Sequence, residues 1–323
     1  MRELTPAKLK SWQSDNKYSI LKIVFVVTIF LFILHYALKN LNELKNVAIS
    51  FNLYYLVASL LLTVFYVFNY SLIWQYITTK NGCGIELRKT ITIRVSSEFG
   101  KYIPGRVLGL AMVLFFYERE KKSKKVVSYC LILEYLGTVV GAVFVFIGSV
   151  FFVDVTAFEP YKSAAAVLMA IFFVMMHPKI LERCANAVLK RTKYGEVVFN
   201  ITYMQVFVII LFNVINWVLL GIALFLLINA AYNIPIRQFV HVVGLLSLAS
   251  FSGLIAILTP AGLGVREGIM IFLLADLIPM TVASVISVAS RLLLVAAEAI
   301  LFGVVYFCNR CFGKTVENPL VIR

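Results

Sequence analysis

The chain has 323 residues, 61% of them hydrophobic and only 14% charged, with a mean hydropathy of +0.92. Soluble domains carry about 25% charged residues, so this composition excludes a water-soluble fold and reads as a single integral membrane domain over 1–323. The net charge of +14 fits the lysine and arginine bias of cytoplasmic loops, and no nucleic-acid partner is expected.

In chain order, residues 1–19 are polar, carry both signs and have no small-residue cleavage site after the next apolar run. They read as a cytoplasmic tail. Apolar runs near 20–38, 52–78, 126–152, 163–177, 201–229 and 281–307 read as membrane-spanning helices, since about 20 helical residues cross roughly 30 Å of hydrocarbon. Residues 309–323 form a short cytoplasmic C-terminal tail. Cys308 and Cys311 make a lone CxxC without companion histidines, so free thiols are expected there, with no metal and no cofactor. Tyr54, Tyr55, Trp74, Tyr76, Tyr117, Tyr161 and Tyr306 fall near run ends and read as interfacial aromatics.

Two intervals break this pattern. The first, 91–117, holds Pro104-Gly105; the second, 238–279, holds Pro260, Gly262 and Gly264. Segments 80–94 and 118–125 are both strongly basic and so share the cytoplasmic face, which makes 91–117 a hairpin that enters and leaves by one side. The second interval begins and ends at weakly basic loops, which makes it a hairpin from the opposite face, with both chain termini inside. Each break has serines before it, Ser96 and Ser97 or Ser250 and Ser252, and a charged residue deep in the following span, Glu134 or Arg291. Matching breaks from opposite faces point to an inverted repeat with its site near the midplane. The expected fold is an all-α polytopic membrane protein with about six full spans plus two re-entrant helical hairpins, arranged as an inverted repeat.

A helix restarting after Pro104-Gly105, or after Pro260-Ala261-Gly262, presents unpaired backbone N–H groups, and such an N-terminus attracts anions. With Arg106 and Arg266 beside the breaks, Pro104, Gly105, Arg106, Pro260, Gly262, Gly264, Arg266 and Glu267 are the candidate substrate-binding residues. Glu98, Lys101, Glu134 and Arg291 are supporting candidates; Arg106 with Glu134, and Arg291 with Glu267, are natural internal pairs. Glu298 joins these buried ionisable residues, whereas Asp276 belongs to the outer loop. No catalytic residue is assigned.

EFGKYIPGRVLGL followed by an EYLG span, then LTPAGLGVREG followed by SRLL, resembles the transmembrane-domain, flippase-like family of lysylphosphatidylglycerol synthases. The resemblance covers roughly 15–308, and its most specific element is the turn ending in Gly-x-Arg-Glu, matched by Pro260, Gly262, Gly264, Arg266 and Glu267; Pro104 and Gly105 match the first turn. It implies a membrane domain that moves a lipid between leaflets along a path formed by re-entrant helices. The chain departs from the family at Ala261, where many members have glycine, and at Tyr135, where members often have arginine. About 15 residues follow the last span, so a stand-alone member without the synthase domain is expected.

The sequence thus reads as a cytoplasmic-membrane lipid translocase, transporter-like rather than enzymatic, for an anionic phospholipid or a lipid-linked saccharide. Membrane lipids with anionic or polyprenyl-phosphate-linked headgroups are its expected partners, with a separate synthase or glycosyltransferase as a further candidate. Two rivals remain. One is a membrane-embedded transferase acting on a lipid-linked sugar with Glu98 or Glu267 as base; the other is a non-catalytic partner of a cell-envelope lipid synthase.

Overall fold

The apolar runs 53–80 and 203–231 pair as antiparallel neighbours that anchor the bundle. The computed structural model describes residues 52–98, 100, 107–152, 177–189, 201–256, 262 and 264–311, with 163, 166, 167 and 169–171 besides. Helix α1 is Leu53–Lys80, started by the Asn52 side chain, whose Oδ1 accepts from the backbone N–H groups of Tyr54 and Tyr55. Its partner α6, Tyr203–Ala231, is started by a capping box between Thr202 and Gln205. Asn52 N donates to Ala230 O (2.8 Å), Ser59 Oγ to Ala223 O (2.7 Å) and Asn69 Nδ2 to Asn216 Oδ1 (2.9 Å). Rising numbers on one helix meet falling numbers on the other, which fixes the direction. In hydrocarbon such polar contacts hold helices together where apolar burial contributes little.

Around this pair lie α2, Leu87–Glu98; α3, Val107–Arg119; α4, Lys124–Phe152; α5, Pro178–Leu189; α7, Phe239–Ile255, entered through a 3₁₀ turn at Ile236–Gln238; α8, Val265–Leu274; and α9, Met280–Cys311. The chain is an all-α polytopic membrane protein. Among the described residues, five helical segments are long and apolar enough to cross a membrane: 53–80, 124–152, 203–231, 236–255 and 280–308. Four coincide with apolar runs expected to span. The fifth, Ile236–Ile255, was expected as one arm of a hairpin, yet its 20 residues reach a full crossing by length. The runs 20–38 and most of 163–177 lie outside the described residues.

Helices α2 and α3 pack against each other, and Lys89 Nζ near the start of α2 meets Glu120 just past α3 at 2.8 Å. The outer ends of these two arms therefore lie together, beside the end of α1, where Trp74 Nε1 donates to Tyr117 Oη (2.8 Å). At the second break α8 turns back on α7. A Cβ at Gly262 would lie 2.7 Å from the Gly253 carbonyl oxygen and 2.8 Å from its Cα, and the Gly262 φ of +70° strains any other residue. Glycine there lets the backbones touch.

Trp74 and Tyr117 correct an expectation: both are fully buried and joined edge to face, 5.7 Å between ring centroids, rather than facing the interface. Tyr54, Tyr55 and Tyr306 are exposed as interfacial residues would be.

Candidate functional site

Two buried charge clusters stand next to the two breaks. The first centres on Arg94 of α2. Its guanidinium meets Glu134 of α4 at 3.0 Å and Glu98, one turn along α2, at 3.5 Å. The Tyr70 and Trp74 rings of α1 lie 5.0 and 4.9 Å from its Cζ. One cation is thus enclosed by two carboxylates and two aromatic faces. Stacking of this kind suits arginine, whose planar group binds carboxylates at its edge and rings at its faces. Nearby, the buried Ser96 and Ser97 hydroxyls have no hydrogen-bond partner among the described residues.

The second cluster centres on Glu267, at the third position of α8. Its Oε2 accepts from Gly264 N (2.8 Å), and its Oε1 faces Arg266 Nη1 (3.4 Å) and Arg291 Nη1 of α9 (3.8 Å). Ser287 Oγ of α9 donates to the Glu267 backbone carbonyl (3.3 Å), and Arg266 Nε donates to Ser250 Oγ of α7 (3.3 Å). Here one carboxylate is enclosed by two cations. The helix start is shaped by Gly264, with φ of +85°, just after the close Gly262–Gly253 approach. Arg266, Glu267 and Arg291 are all more than nine-tenths buried. Arg266 also lines a narrow cleft between α1, α6, α7 and α9.

A family model described as Lysylphosphatidylglycerol synthase TM region matches residues 19–301. The chain belongs to this family. No curated protein and no solved structure matches it. Membership and the helical fold make it a multi-pass membrane protein tied to lipid metabolism or translocation.

Within the family's matched region the structure gathers Gly262, Gly264, Arg266, Glu267 and Arg291 at one place, and Glu98 with Glu134 at another. The pairing of Arg291 with Glu267 is as expected from sequence. Glu134 pairs with Arg94; Arg106, expected as its partner, lies outside the described residues together with Lys101, Pro104, Gly105 and Pro260. Glu298 is buried on α9, and Asp276 is exposed in the turn after α8. One expectation needs revising: the first N–H of the α8 start is not left open to a ligand, because the Glu267 carboxylate turns back and occupies it.

Sequence reasoning missed Arg94. It sits in LRKTITIRVSSE, a stretch too polar to read as buried, and only packing against α1, α3 and α9 puts it inside. Its i, i+4 spacing to Glu98 was the available signal. Ser287 was likewise passed over. Among the described residues no group of three or more His, Cys, Asp or Glu is placed to hold a metal ion.

Proposed function

We propose that the chain is a lipid translocase that moves an anionic phospholipid or lipid-linked saccharide between the leaflets of the cytoplasmic membrane. The observation that carries this reading is Arg266. It is a buried arginine at the start of a broken helix, among membrane-crossing helices, and it forms part of the wall of a cleft. Ionisable groups at membrane depth are costly and mark ligand paths when they face a cavity. With Arg291 it gives the site two cations to one carboxylate, so an anionic headgroup improves the local balance.

The two broken segments act as re-entrant hairpins from opposite faces, with both termini cytoplasmic. α8 has 10 residues, about 15 Å of helix, so it reaches only part of the way through hydrocarbon. The headgroup passes between the hairpins while its chains stay in the bilayer. The substrate partners are membrane lipids, and a separate synthase or glycosyltransferase supplies or consumes them.

The test is transbilayer movement in proteoliposomes. Fluorescently labelled anionic phospholipids and polyprenyl-phosphate sugars are reconstituted with the protein, and a membrane-impermeant reductant quenches the label it can reach. Quenching beyond the outer-leaflet share, lost in Arg266→Ala, is the expected result. Quenching limited to the outer leaflet for every lipid class would refute the translocase.

A further inference from the structure

The break that carries Arg266 is held from two sides. On one side the last turns of α7 seat the start of α8. Ser250 Oγ accepts from Arg266 Nε at 3.3 Å, a Cβ at Gly253 would lie 3.0 Å from the Arg266 Cβ, and the Gly262 backbone rests on that of Gly253. On the other side stands α4. Tyr135 Oη donates to the Leu254 carbonyl oxygen at 2.9 Å, across 119 positions of sequence. Leu254 follows Gly253 directly and is the residue before the last of α7.

The place of this bond in the membrane gives it weight. α4 and α7 pack antiparallel: a Cβ at Gly244 would collide with the Ser149 side chain, Val243 joins Ala142 and Val145 in one buried apolar cluster, and Leu254 meets Tyr135. Tyr135 lies about 17 Å along α4 from Lys124, and Leu254 about 22 Å along α7 from Phe239, so the bond is deep within about 30 Å of hydrocarbon. A helix that stops at such a depth leaves the carbonyls of its last turn without the N–H groups of a following turn. Lipid offers no water in their place, so a donor from a neighbouring helix stabilises the break. Tyr135 is 45% exposed and Ile255 54%, so the end of α7 stands at an open face of the bundle where packing alone grips it weakly. Adjacent positions of α4 thus reach both clusters: Glu134 meets Arg94, and Tyr135 meets the break.

We infer that Tyr135 is a positioning residue for the headgroup site. Its hydroxyl fixes the end of α7, and through Ser250 and Gly253 it fixes where Arg266 stands in the narrow cleft it shares with Ser59, Thr63 and Ser290. The role rests on the translocase reading of that site; the placement is tested without any substrate.

Tyr135→Phe keeps the ring and removes the donor. In full-length protein in neutral detergent, amide hydrogen exchange read by mass spectrometry should rise about threefold to tenfold in peptides covering 250–256 and 264–270, the worth of one net hydrogen bond. Peptides covering 53–80 and 87–98 should keep the parental rate. Two analogues at the same position separate donor from ring. O-methyltyrosine has no O–H and should behave as phenylalanine; 4-aminophenylalanine offers an N–H to the same carbonyl and should restore parental exchange. In proteoliposomes, movement of anionic lipid should fall about threefold to tenfold with phenylalanine or O-methyltyrosine and recover with 4-aminophenylalanine.

Parental exchange at the break in Tyr135→Phe, a rise spread evenly over all helices, failure of the amino analogue to restore it, or a rise at the break with lipid movement unchanged would overturn the inference. If the parent protein itself moves no lipid, the translocase reading falls, and the exchange pattern still decides whether Tyr135 holds the break.

Discussion

The two charge clusters are near opposites. Around Arg94 one cation meets two carboxylates and lies against two aromatic rings; around Glu267 one carboxylate meets two arginines, and the guanidinium of one of them lines a cleft. The difference separates a clamp from a site. In the first cluster both carboxylates meet the same Arg94 nitrogen and two rings lie against the guanidinium, so it joins α1, α2 and α4, with Nε buried and without a hydrogen-bond partner among the described residues. In the second, Glu267 caps its own helix and holds two arginines, one of which lines the cleft. In the proposed translocase the first half is the scaffold and the second half handles the headgroup.

The largest effect expected from this contrast is the loss of the clamp. Arg94→Ala leaves the buried Glu134 without its closest cation, and removing one partner of a buried pair costs about 3–5 kcal/mol. A melt in detergent should show a large fall in stability for Arg94→Ala. Replacing both members by apolar residues of similar volume, Arg94→Met with Glu134→Leu, should recover most of it. If the single variant melts like the parent, the first cluster is not a clamp and the comparison collapses.

Next in size is Gly262→Ala. The added Cβ would enter a left-handed backbone position, at about 1–2 kcal/mol, and would also press on the Gly253 backbone at 2.7 to 2.9 Å. Overpacking adds about 1–3 kcal/mol more, and the strain would shift α8 along with Arg266. Melting temperature and anionic-lipid movement should therefore fall together. In Arg266→Ala they should separate. Arg291 still faces Glu267, so stability should drop by only about 1–2 kcal/mol, while movement of anionic lipid falls at least about tenfold. A proteoliposome assay beside a melt distinguishes the two variants.

How much of this was legible beforehand follows the same division. The second cluster lies within a local pattern, because glycines and a proline inside an apolar stretch mark a break and Arg266-Glu267 sits on it. Its partner Arg291 is the charged residue of the following span, so even the pair was readable. The first cluster is built from three separate stretches, in α1, α2 and α4. Arg94 lies in a helix polar enough to pass for a loop, and Trp74 and Tyr117 lie near the ends of their segments, as interfacial aromatics do. Nothing local says that α2 is packed inside against α1, α3 and α9. The cleft's hydroxyls were illegible for a related reason: serine and threonine are common in apolar helices, and only the contact of α1 with α9 makes a wall of Ser59 and Ser290.

The smallest effect concerns whether the scaffold half moves at all. Cys83, in the turn after α1, and Cys130 of α4 are buried with their sulfurs 3.6 Å apart, and hydrogen bonding to Cys130 lowers the pKa of the Cys83 thiol. A disulfide needs the sulfurs at about 2.05 Å, a shift that local adjustment of the turn can supply. Diamide, reduced to its hydrazine as the two thiols lose their protons and electrons, should close this bond in a variant with Cys184, Cys308 and Cys311 changed to serine. Mobility on a non-reducing gel and the loss of titratable thiols report closure. A tied scaffold should translocate lipid at nearly the unoxidised rate, and adding reductant should change nothing. A rate that falls on closure and returns on reduction would show that α4 must move relative to the end of α1 in each cycle. The first half would then be a working part, and the clamp around Arg94 would have to open.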